Sequence, residues 1–335
     1  MPEPSSDESM LYRRLGRSGL RLSVFSLGSW LTFHEQFDVR AAREMMAAAR
    51  DRGVNFFDNA EGYANGESEA VMGRALRELG WARVDYVVSS KYFWGLEGGG
   101  TRVNTRNTLN RKYLMQAVDA SLRRSGLDYI DLIYCHRPDP HTPIEETVWA
   151  MSDLIRQGKA LYWGTSEWSA DEIRAAWNVA ERHHLHKPVV EQPQYNLFHR
   201  RRVEQEYRRV IEDLGIGLTV WSPLAGGLLS GKYRDGAPPG SRGALSATAF
   251  LREGLLDAQR NQAVATLGDI AAELGCSIAQ LAIAWTAWRG QVSSVILGAS
   301  SRQQLEHNLD ALDVLRRLDA ATVARVEALT EALAR

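Results

Sequence analysis

Cysteine is scarce in this sequence: 335 residues hold two, Cys135 and Cys276. That excludes a disulfide framework and points to a reducing, cytoplasmic setting rather than secretion. The opening MPEPSSDESM has no basic segment and no apolar core, so no signal peptide is expected, and its polarity predicts disorder over residues 1–10. No window reaches the roughly 18 continuous apolar residues of a membrane span, which argues against membrane insertion. The formal net charge is −1, so no overall field draws the chain to nucleic acid or an anionic surface. Also missing is any G-x-G-x-x-G string, the phosphate-binding turn of a doubly wound dinucleotide fold.

What is present is a rhythm. Short apolar runs begin at Val24, Val54, Tyr86, Ile130, Leu161, Val189, Leu218 and Ser293. Each is β-rich, too short for a helix, and apolar nearly throughout, as in parallel strands buried on both faces. Helical patterns with recognisable ends lie between them. Asp38 is placed to cap one, Thr142 with Pro143 and Glu145 reads as a capping box, and Ser169 with Glu172 repeats that box. Gly53, Gly80, Gly126, Gly158 and Gly215 fall where helices should stop. Eight strands, each followed by helical sequence, predict one (β/α)8 barrel domain over residues 11–335. A β-hairpin around Arg17-Ser18-Gly19 precedes it. A helical tail after Asp319, with Val323, Val326 and Leu333 on one face, packs back onto it.

In such a barrel, chemistry belongs at the C-terminal ends of the strands. There the sequence places Asp58 with Tyr63 just beyond it, then Lys91, then His136. Singly, each has an ordinary structural explanation; barrel geometry brings all of them to one face. A tyrosine is a poor acid near neutrality, with a pKa of about 10. A neighbouring ammonium stabilises its phenolate and lowers that value. A lysine at the cleft floor needs a carboxylate to stay charged. Asp58–Lys91–Tyr63 forms that chain, ending in a proton donor, and His136 can orient the same oxygen. This suits carbonyl reduction, in which a nicotinamide supplies hydride. Trp30, Tyr92, Phe93 and Trp94 near the mouth suggest an apolar pocket.

The strings YRRLGRSGLRLS, FFDNAEGYANGESE, SSKYFW, HRPDP, YWGTSEW, WSPLAGGLLSGKY and SVILGAS follow one another between about Tyr12 and about Asp313. On these the chain resembles the aldo-keto reductases, most closely the branch containing the voltage-gated potassium-channel β subunits and related bacterial reductases. The resemblance implies that Tyr63 is the proton donor with Lys91 and Asp58 as its partners. His136 stands where most members have histidine and the channel β subunits have asparagine. This favours a working reductase of small-molecule carbonyl substrates. The alternative is an NADP(H)-holding, redox-sensing subunit that regulates a partner such as a potassium channel.

By the same resemblance NADP(H) lies extended across the barrel mouth. Trp30, Gln36, Ser166 and Gln192 belong to its nicotinamide end, Ser29 and Asp58 are further cofactor contacts, and Trp221 stacks on the ring. Ser222, Pro223, Leu224, Ala225 and Gly226 run along the pyrophosphate. Lys232, Arg242, Ser300 and Gln304 meet the 2′-phosphate, Asn308 lies near the adenine, and Gly298 completes the set. Cations, a hydroxyl and a helix start near Ser300-Ser301 suit a phosphate dianion, hence NADP(H) over NAD(H). Relatives assemble as tetramers or octamers, so a homo-oligomer is implied. Two positions depart. Glu167 replaces an arginine of the channel β subunits, an acid expected to weaken cofactor binding or to face solvent. Asn59 replaces the usual threonine or serine.

Three motifs invite misreading. GGLLSGKY approaches a phosphate-binding P-loop, but Tyr233 stands where a magnesium-binding Ser or Thr belongs. RHHLH lacks the usual metal-ligand spacings, so no metal is expected. GLEGGGTRVNTRN after the third strand reads as a mobile substrate loop, and a disordered spacer would have the same composition.

Overall fold

The computed structural model describes residues 10–34, 36–98 and 103–334. Strands β1 (Tyr12–Arg14) and β2 (Arg21–Ser23) pair antiparallel, forming the expected hairpin. Eight parallel strands then close a barrel: β3 (Phe25–Gly28), β4 (Phe56–Asp58), β5 (Val87–Tyr92), β6 (Ile130–Cys135), β7 (Ala160–Thr165), β8 (Val190–Glu191), β9 (Gly217–Val220) and β10 (Val292–Leu297). Closure is made by β10 pairing with β3. Each strand starts within two residues of its expected position.

Helices α1 (Val39–Asp51), α2 (Glu67–Leu79), α3 (Arg111–Ser125), α4 (Ile144–Arg156) and α5 (Ala170–Arg182) follow β3 to β7 in turn. Two π-helical segments, Arg202–Glu206 and Val210–Leu214, follow β8. After β9 the chain makes a 3-10 segment, Ala225–Ser230, and then α6 (Arg252–Leu255), α7 (Ala258–Glu273) and α8 (Ile278–Trp288). After β10 come α9 (Arg302–Leu309), α10 (Ala311–Arg317) and α11 (Ala320–Thr330). Val323 and Val326 of α11 are buried, as its apolar face requires.

Strand alternation divides the core in two. Phe56, Val87, Leu132, Tyr134, Val190 and Ile296 point into the barrel and pack together. Their neighbours Phe57, Val88, Ile133 and Val295 face the helices. Leu15 and Leu22 of the hairpin join the interior cluster, so the hairpin plugs the end of the barrel away from the strand C-termini.

Local rules hold at most helix ends. Asp38 Oδ1 accepts from Ala41 N at 2.9 Å, and Ser169 with Glu172 forms a complete capping box. The box expected at Thr142 does not form. The Thr142 hydroxyl turns back to donate to Asp139 Oδ2 at 2.6 Å, and α4 starts after Pro143 with no side-chain cap. A local side-chain bond outcompetes the cap, as it readily does for threonine. Met10, the last residue of the stretch expected to be disordered, is buried against the core; residues 1–9 lie outside the described residues. So do residues 99–102 of the expected substrate loop.

Candidate active site

The parity that sends Phe56, Val87 and Leu132 inward also sends Asp58, Ser89, Lys91 and Tyr134 inward, two or four residues further along the same strands, and His136 continues it one residue past β6. β7 and β8 extend the pattern to Ser166 and Gln192. The layer of side chains at the strand C-termini is therefore polar. Lys91 is fully buried, and its Nζ donates to Asp58 Oδ2 at 2.6 Å, to Asn59 O at 2.8 Å and to Tyr63 OH at 3.1 Å. The other carboxylate oxygen of Asp58 accepts from Ser89 Oγ at 2.7 Å and from Gln192 Nε2 at 3.1 Å.

Tyr63 reaches Lys91 because the segment after β4 folds back over the barrel. Glu61 N donates to Lys91 O at 3.2 Å, and Tyr63 N donates to Ala60 O at 3.1 Å. Ala64 and Asn65 then take left-handed backbone angles, φ 47 and 54, which bend the chain sharply before α2. Such angles are costly for residues other than glycine and collect at functional sites. The Glu61 carboxylate braces this turn from beneath. Its Oε1 accepts from Phe93 N at 3.1 Å, from Gly95 N at 3.2 Å and from the Tyr113 hydroxyl.

Burial is the largest influence on these groups. By itself it would push the Lys91 ammonium down. Asp58 and Tyr63 outweigh it and leave the lysine above its ordinary value, so it is charged. Burial pushes the Tyr63 hydroxyl up; Lys91 pulls it down without reversing the shift. The sequence suggested a lowered tyrosine, and the difference is desolvation, which a sequence does not display. Burial, then the nearby Lys91 and Arg137 cations, hold the His136 imidazole well below the usual histidine value, so it is neutral. Its Nδ1 is buried without a hydrogen-bond partner.

Above this layer lies a cleft of about 1390 Å³. Tyr63, Asp58 and His136 line its floor, and Lys91 lies beneath them. Trp30, Gln36, Ser166, Gln192, Trp221 and the Ser222–Gly226 turn line it as well, as do Lys232, Arg242, Gly298, Ser300, Gln304 and Asn308. The walls fit a phosphate-bearing dinucleotide. Among the described residues neither Lys232 nor Arg242 has a carboxylate partner, and the buried Asn308 Nδ2 has no partner at all. Ser301 caps α9 beside them. Ser300 and Gln304 meet each other: Gln304 Oε1 accepts from Ser300 N at 2.8 Å and from its hydroxyl at 2.9 Å.

Four placements differ from expectation. Ser29 is buried outside the cleft wall, its backbone bonded to Asp58 O at 3.0 Å. The Arg242 guanidinium sits 5.4 Å from the Trp30 ring, so these two are neighbours rather than at opposite ends of the cleft. Tyr92 faces outward by strand parity and Phe93 is buried in the core, leaving Trp30 and Trp94 as the aromatics of the cleft among those four. Glu167 neither faces solvent nor stands free beside the expected cofactor path. Its carboxylate accepts from Gln194 N at 2.6 Å and Trp221 Nε1 at 3.1 Å, and pairs with Arg202 at 2.9 Å. It braces the tryptophan expected to stack on the nicotinamide.

Ser89, Glu61 and Arg137 went unremarked as functional residues in the sequence. Ser89 carried a usable signal, since it lies two residues before Lys91 on the same strand face. Arg137 directly follows His136 at a strand end. Nothing local marked Glu61.

A family model described as the aldo/keto reductase family matches residues 25–331. A probable voltage-gated potassium channel subunit beta of Oryza sativa subsp. japonica is 50% identical over 323 residues, covering 96% of this chain and 97% of the relative. The similarly named protein of Arabidopsis thaliana is 50% identical over 319 residues, covering 95% and 96%. A putative voltage-gated potassium channel subunit beta of Schizosaccharomyces pombe is 44% identical over 321 residues, covering 94% and 92%. Among the described residues no single helix is long and apolar enough to cross a membrane.

Proposed function

The chain belongs to the aldo/keto reductase family, hence to the oxidoreductases, and we propose that it reduces aldehydes and ketones to alcohols with NADPH, Tyr63 giving the proton. The observation that carries this reading is the Lys91 ammonium 3.1 Å from the Tyr63 hydroxyl, with Asp58 at 2.6 Å on its other side. Tyr63 carries its proton at neutral pH as any tyrosine does, and burial pushes its hydroxyl further up. When its proton passes to a carbonyl oxygen, the phenolate left behind lies against Lys91. Asp58 keeps that lysine charged, and Ser89 and Gln192 hold Asp58 in place. The neutral His136 donates a hydrogen bond to the same oxygen and orients it.

NADP(H), when bound, supplies the hydride that reduces the carbonyl carbon. Lys232 and Arg242 would hold its 2′-phosphate and Asn308 its adenine, while Trp221, braced by Glu167, would present a flat face to the nicotinamide.

The relatives are named as potassium channel beta subunits, which favours a second reading as a channel subunit; on that reading the cleft would hold NADP(H) for redox-sensing regulation of the partner. Turnover separates the two. The purified protein is mixed with NADPH and a panel of neutral and charged aldehydes, and loss of reduced-nicotinamide absorbance is followed. Oxidation that depends on the aldehyde supports the reductase. Tight NADPH binding with no oxidation by any aldehyde favours the regulatory subunit.

A further inference from the structure

Taking the site as a carbonyl reductase, we infer that its substrate is a carbonyl compound bearing a carboxylate, and that Arg137 receives that carboxylate. Arg137 follows His136, the first residue past β6, and lines the cleft. Its polar contacts both come from one nitrogen: Nη1 donates to His136 O at 2.5 Å and to Ser166 Oγ at 3.3 Å. Among the described residues, Nη2 and Nε, the edge that a carboxylate grips with two parallel hydrogen bonds, have no protein partner.

That vacancy is unusual for an arginine of this burial in this molecule. Arg83 pairs with Asp131, Arg124 with Glu69, Arg200 with Glu331 and Arg202 with Glu167. Arg13, without a carboxylate, gives its Nη1 to three backbone carbonyls. Arg242 also lacks a carboxylate partner among the described residues, and the proposed function assigns it to the 2′-phosphate of the cofactor. Arg137 is thus a guanidinium prepared for an anion that the protein does not itself provide. A partly desolvated guanidinium favours such a partner strongly.

Its location decides which ligand that is. Arg137 lies 5.8 Å from the centroid of the Trp94 ring, and the His136 ring lies 6.2 Å from the same indole. The His136 and Tyr63 rings are 6.1 Å apart. Proton donor, imidazole, indole and guanidinium therefore wall one chamber. Lys91 in its floor is already neutralised by Asp58, so the charge a substrate meets there is that of Arg137. Among the described residues, the other cation near Trp94 is Arg106, which gives Nε to Trp94 O at 3.3 Å and lies 3.9 Å from Glu97. One free guanidinium matches a planar monoanion better than a phosphate, which demands more donors.

The test compares 4-carboxybenzaldehyde with benzaldehyde, which share a reacting group and differ by the anion. Wild type should show kcat/KM at least roughly ten-fold higher for the carboxylate, the size of one charge-assisted hydrogen bond. Arg137→Gln should abolish that preference, chiefly through KM, and Arg137→Lys should restore part of it. Benzoate should also compete with benzaldehyde on the wild-type enzyme more strongly than benzamide does, a readout that needs no variant. Reduction of both aldehydes without preference, or a preference that survives Arg137→Gln, overturns the inference and leaves the reductase standing. Reduction of neither aldehyde overturns the reductase reading and this inference with it.

Discussion

Lys91 Nζ lies 2.6 Å from Asp58 Oδ2, and both side chains are buried at the C-terminal end of the barrel. A buried ion pair contributes little net stability against an apolar pair of the same shape, but removing one partner strands the other charge. Lys91→Met should therefore destabilise the protein by roughly 3–5 kcal/mol in chemical denaturation. Combining it with Asp58→Asn should recover part of that loss. Additive losses in the double variant would mean that the two charges do not depend on each other.

Glu61 offers a stability test that is separate from chemistry. Burial, opposed by the Tyr113 hydroxyl and the Phe93 and Gly95 amides and reinforced by Glu69, lifts its carboxyl from 4.5 to about 7. Between those values the folded protein holds a proton that the unfolded chain has released. Stability therefore falls as pH rises through that window and changes no further above it. Each unit of separation is worth about 1.4 kcal/mol, so the fall reaches roughly 3 kcal/mol. Glu61→Gln should flatten the decline of Tm across the window. Glu191, lifted from 4.5 to about 8 by burial, adds its own decline across the same window and beyond it in both proteins, so the variant's slope is reduced rather than abolished. An unchanged slope in the variant would remove Glu61 as its source.

Cofactor choice can be read at Arg242, which has no carboxylate partner among the described residues and stacks 5.4 Å from Trp30. Arg242→Ala should weaken NADPH binding roughly ten-fold or more and NADH binding far less, because the two differ only in the 2′-phosphate. Fluorescence titration with each nucleotide measures this. Equal losses for both would place Arg242 elsewhere on the cofactor path.

The legible parts of this protein were those governed by periodicity. Runs of β-rich residues gave eight strands, and their ends placed Asp58, Lys91 and His136 on one face, where the structure has them. Features set by distant contacts were not legible. Thr142 carries a capping signature, yet Asp139 claims its hydroxyl. Glu167 looked like an acid exposed to the cofactor, but Arg202, 35 residues along the chain, pairs with it. Tyr92 belonged by composition to the aromatic mouth, and strand parity turns it outward. The direction of the Tyr63 shift depended on burial that only the folded chain creates.

The measurement that bears most directly on Tyr63 as proton donor is aldehyde reduction by Tyr63→Phe, with NADPH binding followed in parallel. The phenyl ring keeps the packing against His136, where the rings are 6.1 Å apart, and removes the hydroxyl that Lys91 Nζ meets at 3.1 Å. Loss of general acid catalysis should lower kcat by roughly 100-fold or more while NADPH still binds. A variant that binds NADPH and reduces aldehydes at the wild-type rate would contradict the assignment.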